Sequence, residues 1–288
     1  MKGYIIALTA LLFSSYTFAQ DIPARWDELV ASDFSAALQK SSKTCILPIG
    51  ILEKHGLHAP IGTDLVHVRE WAAQAVKSEY AVVFPDYFYG QINEARHQPG
   101  TFSLPNKLIL ELLEATCDEI ARNGFDKIII LNGHGGNPEF IEFFMQGLLN
   151  KRHNYAVYFY RPDVDTEYVK AYQKRHLTDM RGDLHGGESE TSILLHYRPD
   201  LMRLQRATGE NGMNQQRSSL PGLYTPIWWY SSYPNHYAGE ASKSTEALGK
   251  FIADHEVAQF VKALKEVKAD TKTLELQKEF FDRVDQLK

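Results

Sequence analysis

The chain has 288 residues, 44% hydrophobic and 23% charged, which excludes a disordered, collagenous or low-complexity protein. Its 31 Lys and Arg against 36 Asp and Glu leave a net charge of −5 with no basic run. The electrostatic footprint of a nucleic-acid binder is therefore missing, and small molecules become the expected partners.

Residues 1–19 read as a secretory signal peptide. Lys2 gives a positive start, Tyr4 to Phe13 an apolar core, and Thr17 and Ala19 small residues ahead of Gln20. The apolar core is shorter than the ~20 residues that span a bilayer, and no later stretch is long and apolar enough. The expectation is a single mature domain, 20–288, exported to the periplasm or beyond and free of the membrane. An amphipathic stretch from Trp26 to Leu38 leads to Thr44–Gly50, an apolar run closed by glycine that suits a buried parallel strand. A His-rich loop follows. Helical spacing of Leu65, Val68, Trp71, Ala72 and Ala75 predicts a helix over 64–77, and Ala81–Pro85 a second strand. Helix 105–122, strand 127–131, helix 138–149 and strand 155–160 continue the alternation, with Pro105 and Gly124 marking one helix's ends. Strands separated by helices predict a three-layer α/β/α fold with a mainly parallel sheet, whose ligands gather at the strands' carboxyl ends.

Beyond residue 160 the pattern predicts helices over 166–175 and 188–197, a long irregular stretch from about 207 to 236, and a helical tail over 242–287. The irregular stretch carries Tyr224, Trp228, Trp229 and Tyr230. A loop of that length reads as a lid, binding loop or oligomer contact, and Trp228 and Trp229 are expected to wall a substrate pocket. Cys45 and Cys117 are too few for a disulfide framework and lack zinc-ribbon spacing. They read as packing residues, with a single disulfide as the alternative.

Three polar clusters carry chemistry. Glu53 to Asp64, directly after the first strand, joins carboxylates and imidazoles in one segment able to curl around a divalent cation; its bland alternative is an exposed polar turn. Asn132 to Asn137 ends the third strand with glycines and one imidazole, and alone is equally an anion cradle. Asp183 to Ser192 sits at a helix start, where an acid is also a dipole partner.

Together these clusters resemble the creatininase family of metal hydrolases, from about Leu47 to Gly249. Its Glu-x-His-Gly-x-His-x-Pro-x-x-Thr-Asp motif is matched by Glu53, His55, Gly56, His58, Pro60, Thr63 and Asp64, and its Asn-Gly-His-Gly-Gly-Asn motif by Asn132 to Asn137. Tyr89-Gly90, His97 and Pro99-Gly100-Thr101, and then His185-Gly186-Gly187 through Glu190-Thr191-Ser192, resemble two further segments. Departures are Lys54 for Gln, Leu57 for Pro and Gly186 for Ala; Gly136 stands where creatininase itself has a glutamate ligand, which counts against creatinine as substrate.

The resemblance implies two divalent ions, Zn²⁺ or Mn²⁺, one held by Glu53, Asp64 and Glu190 and the other by His55, Asp64 and His134, with Asp64 bridging. It implies an amidohydrolase cleaving the C–N bond of a small cyclic or linear amide with a hydroxide shared by the ions. His185 is left to stabilise the oxyanion or move a proton, with His58, His97 and Glu94 as lesser candidates and His58 read as orienting a ligand. Deformylase and peptidase readings stay open, as does an exported solute-binding protein that would need no such ligand set. The family form implies a homo-oligomer, a homohexamer.

Overall fold

The computed structural model describes residues 22–218 and 220–287, so the signal-peptide reading of 1–19 lies outside the described residues. Four strands, β1 (Thr44–Ile49), β2 (Val82–Val83), β3 (Lys127–Asn132) and β4 (Ala156–Phe159), form one parallel sheet in the order β2-β1-β3-β4. Every side chain of β1 is buried, as its unbroken apolar run requires of a central parallel strand. Successive residues face opposite layers. Cys45, Leu47, Ile49, Ile128 and Ile130 pack with Leu113 and Cys117 of α3 (Asn106–Arg122) and with Ile141 and Phe144 of α4 (Pro138–Gly147). Ile46, Ile129 and Leu131 face the other side, against Val68, Trp71 and Ala72 of α2 (Thr63–Ser78) and Phe260 of α8 (Glu246–Ala269). The expected three-layer α/β/α arrangement is thus present. Both cysteines are free and buried in the first of these layers, so the packing reading holds and the disulfide alternative falls.

Two elements differ from expectation. The amphipathic stretch 26–38 is a 3₁₀ turn (Trp26–Glu28) and a short helix α1 (Phe34–Lys40) separated by an extended break at Leu29. The tail is two helices, α8 and α9 (Lys272–Asp285). Asp270 interrupts it by accepting hydrogen bonds from the backbone N–H groups of Lys272 (2.7 Å) and Thr273 (3.2 Å), the role of a cap that starts a new helix. Helices α5 (Thr166–Arg175) and α6 (Glu188–Tyr197) have the predicted bounds, and the irregular stretch contains one short helix, α7 (Trp228–Ser232).

The chain leaves β1 toward β2 on one side and reaches β3 on the other, so the crevice between β1 and β3 is the switch point of the sheet, where α/β folds bind ligands. Ile49 pairs with Asn132, placing the loops after both strands side by side. Glycines let the N-terminus of α2 press into this crevice: a Cβ on Gly50 would lie 2.3 Å from Leu65 Cα, and one on Gly133 2.7 Å from the Asp64 carbonyl oxygen. The first turn of α2 thereby brings Asp64 between the two strand ends.

Candidate metal centre

Glu53 and His55 from the loop after β1, Asp64 from α2, His134 from the turn after β3, and Glu190 from the first turn of α6 converge in this crevice. All but Glu190, which is half-buried, are buried. His134 Nδ1 lies 2.6 Å from Glu53 Oε1 and 3.0 Å from Asp64 Oδ2. His55 Nε2 lies 3.0 Å from Asp64 Oδ1 and 3.6 Å from Glu190 Oε2. Asp64 therefore divides its oxygens between two trios, one with Glu53 and His134 and the other with His55 and Glu190, each with its ligand atoms within 4.8 Å of one another.

This partition corrects the expected one, which gave Glu190 to Glu53 and His134 to His55. Because β1 and β3 are neighbours, His134 rises beside Glu53, whereas His55 turns toward α6. Both trios now offer one imidazole and two carboxylates, so the anticipated contrast between an all-carboxylate and a two-imidazole site disappears. Such a set suits Zn²⁺ and also tolerates a harder ion such as Mn²⁺.

Glu53 Oε1, Asp64 Oδ2 and His55 Nε2 are buried without a hydrogen-bond partner among the described residues. Buried polar atoms left unpaired are costly, and here each belongs to one of the two trios, where a cation would satisfy it. Electrostatics agree. Burial opposes charge on His55, yet Asp64 and Glu190 overcome it and push the imidazole up to about 10; His134 is likewise held well above its ordinary value, against its burial, by Glu53 and Asp64. Burial raises Glu190 to about 7 even though His55 opposes it, while His134 above all holds Glu53 well below the carboxylate range despite its burial.

His185 is buried beside the trios. Its ring lies 4.2 Å from that of His55, and its Nε2 donates to the Lys54 carbonyl oxygen at 2.7 Å. Burial pushes it down to about 3, so it is a neutral imidazole at physiological pH. One of its ring nitrogens also groups with Glu53 and His55; its Nε2, 3.6 Å from Glu53 Oε2, has its proton committed to the carbonyl and is not a ligand in this tautomer. His58 belongs to neither trio. Thr191 Oγ1 donates to the Gly186 carbonyl oxygen (3.1 Å) and accepts from His58 Nε2 (2.8 Å), so His58 ties the first motif to the third. His97 lies outside the cluster, donating to the Pro234 carbonyl oxygen at 2.9 Å. Glu94 sits near His134, and burial raises its carboxyl. A Cβ on Gly136 would come 2.5 Å from His134 Nε2, so no side chain could stand there with His134 in its present place.

Of the two tryptophans, Trp228 is 45% exposed and donates its indole N–H to Tyr224 Oη at 3.1 Å. Trp229 is half-buried, its ring nearly perpendicular to that of His185 with centroids 6.0 Å apart. One buried neighbour of the cluster has no counterpart in the sequence reading: His236, whose Nε2 lies 2.5 Å from Glu53 Oε2. It lies 183 residues from Glu53 in a stretch without periodicity, so only the folded chain reveals it.

Residues 27–264 match the creatininase family model, described as creatinine amidohydrolase. Creatinine amidohydrolase of Pseudomonas putida is 27% identical over 191 residues, 62% of this chain and 74% of that protein. A mycofactocin precursor peptide peptidase of Mycolicibacterium smegmatis is 31% identical over 163 residues, 54% of this chain and 58% of that protein. The 3-dehydro-scyllo-inosose hydrolase of Thermotoga maritima is 26% identical over 240 residues, 73% of each chain. Among solved structures, a manganese form of creatininase superposes with a TM-score of 0.71 at 22% identity, covering 86% of this chain and 99% of that one. A mutant creatininase of Zn-Zn type gives 0.70 with the same identity and coverage.

Proposed function

The chain belongs to the creatininase family of hydrolases, and from that premise we propose that it is a dinuclear metal-dependent amidohydrolase cleaving the C–N bond of a small cyclic or linear amide. The observation that carries this reading is Asp64, whose two carboxylate oxygens face two separate trios of ligand atoms. Glu53, Asp64 and His134 would hold one ion, and His55, Asp64 and Glu190 the other. Relatives crystallised in manganese and Zn-Zn forms support the metal choice. When bound, the two ions supply Lewis acidity toward the scissile carbonyl and lower the pKa of an attacking water. The chain's own part is positioning: the buried carboxylates balance the ions' charge, and neutral His185 is free at its second nitrogen to take up or share a proton beside the reacting group.

The relatives of this chain range from a creatinine amidohydrolase through a peptide peptidase to a 3-dehydro-scyllo-inosose hydrolase, so the amide substrate rests on the resemblance to creatinine amidohydrolase. A panel of lactams, formamides and short peptides, assayed with Zn²⁺- and Mn²⁺-loaded protein, tests it. Turnover of a lactam or formamide supports the reading, and turnover of peptides alone replaces it with peptidase chemistry. Export through residues 1–19 and a homohexameric assembly belong to the same proposal.

The role given to His185 separates catalysis from metal binding. His185→Ala is expected to keep both ions and to lower turnover by ~10²–10⁴-fold, the usual contribution of an acid–base group. Loss of an ion in this variant would make His185 a ligand instead.

Metal binding should also move protons. In the metal-free chain the charged form of His55 contributes stability that is complete below its ordinary value of about 6.5 and is lost as pH rises through about 10. His134 acts with the same sign. A cation displaces these protons, so adding Zn²⁺ to weakly buffered, metal-free protein near neutral pH should acidify the solution, and affinity should fall as pH is lowered. Binding without proton release would contradict this assignment of the imidazoles.

A further inference from the structure

Glu53 makes two kinds of contact, and they divide between its oxygens. Oε1 faces His134 and Asp64 without a hydrogen bond, whereas Oε2 lies 2.5 Å from His236 Nε2. The other nitrogen of His236 is also engaged: the indole N–H of Trp229 points to His236 Nδ1 at 2.9 Å. An indole N–H can only donate, so Nδ1 must carry a lone pair, and the single proton of the neutral imidazole sits on Nε2. His236 is therefore a donor to Glu53, and with both ring nitrogens engaged it is barred from binding a cation itself. The same donor–imidazole–carboxylate order is how proteins orient metal-bound carboxylates and imidazoles from outside the coordination sphere.

The backbone is built to present this ring. His236 has a φ of +53°, a left-handed conformation uncommon for a residue with a Cβ. It is held there from both sides. Lys54 Nζ donates to the Asn235 carbonyl oxygen at 2.9 Å while pairing with Glu210 at 2.6 Å, and His185 and Ala238 exchange two backbone hydrogen bonds of 2.9 Å each. Lys54, one of the chain's departures from the family motif, thus pins the segment that delivers His236.

We propose that Trp229 and His236 are positioning residues: the indole fixes the Nε2–H tautomer of His236, which holds Glu53 Oε2 so that Oε1 is left to the ion shared with Asp64 and His134. The proposal rests on the reading of Glu53 as a ligand. It also gives Trp229 a role apart from lining a pocket, and it makes the irregular segment 207–236 a structural part of the metal site.

Trp229→Phe keeps the ring and removes the N–H; His236→Ala removes the donor; His236→Gln restores an amide N–H near the place of Nε2. Each is prepared as the full chain, checked for folding by circular dichroism, stripped of metal and titrated with Zn²⁺ against a competing chelator. The expected result is that Trp229→Phe and His236→Ala weaken one of two Zn²⁺ equivalents by ~10–100-fold and leave the other near its wild-type affinity, with His236→Gln recovering part of the loss. Wild-type affinity for both ions in Trp229→Phe and His236→Ala would overturn the proposal, and so would equal losses in His236→Ala and His236→Gln. A wild-type protein that binds no Zn²⁺ would instead refute the metal reading from which the proposal starts.

Discussion

Asp64→Asn is expected to empty both metal positions together. The amide keeps the size of the side chain but removes the charge that both trios share, so each loses a carboxylate ligand at once. The cost per ion should exceed the ~10–100-fold typical of losing an outer hydrogen-bond partner, because a direct ligand is gone. Turnover should fall to background with it. Glu190→Gln is the control: it touches only the trio with His55, and should release one ion and spare the other. Elemental analysis of the folded variants after dialysis reads both outcomes. Loss of a single ion in Asp64→Asn would remove the bridging role.

The largest effect on stability is expected at a close backbone contact, that of Gly249. It lies in the first turns of α8 where that helix crosses α6, and a Cβ there would stand 1.8 Å from the Ser192 carbonyl oxygen and 2.3 Å from its carbon. Backbone atoms cannot swing aside as a side chain can, so the two helices would have to separate. The contact is also latched by Thr245 N–H to Ser192 Oγ (3.0 Å) and Ser244 Oγ to the Glu188 carbonyl oxygen (3.2 Å). Gly249→Ala should therefore fall at the upper end of overpacking costs, about 3 kcal/mol, and lower Tm by about 6–12 °C. Since α6 carries Glu190, the same variant should bind the second ion less tightly. Gly147→Ala, where a Cβ meets nothing within 4 Å and the backbone is helical, should be neutral or slightly stabilising. Thermal unfolding of the two variants checks the contrast, and equal Tm values would show that α6 and α8 have room to move apart.

The sheet was legible wherever burial is dictated by unbroken apolar runs. Strands β1 and β3 and helices α5 and α6 stand where hydrophobic spacing places them, and the first two polar clusters meet because the paired strands β1 and β3 deliver their carboxyl ends side by side, while α6 brings in the third. Spacing along the chain carries no information about which wall of a crevice a side chain leaves from. The grouping of Glu53 with His134, and of His55 with Glu190, therefore depended on the pairing of β1 with β3 and on the seating of α6. His236 was invisible for a related reason: its partner is remote in sequence, and a histidine in an aperiodic segment has no local mark of function. The break at Asp270 did carry a signal, an acid and a threonine at a helix start, which the continuous apolar spacing around it outweighed.

Metal stoichiometry coupled to activity tests the central claim most directly. Full-length protein stripped with chelator and titrated with Zn²⁺ or Mn²⁺ should take up two equivalents per chain, with hydrolysis of an amide substrate returning only as the second is filled. Hydrolysis that survives complete removal of metal, or a folded chain that saturates at one equivalent with full activity, would contradict a centre built on two trios joined through Asp64.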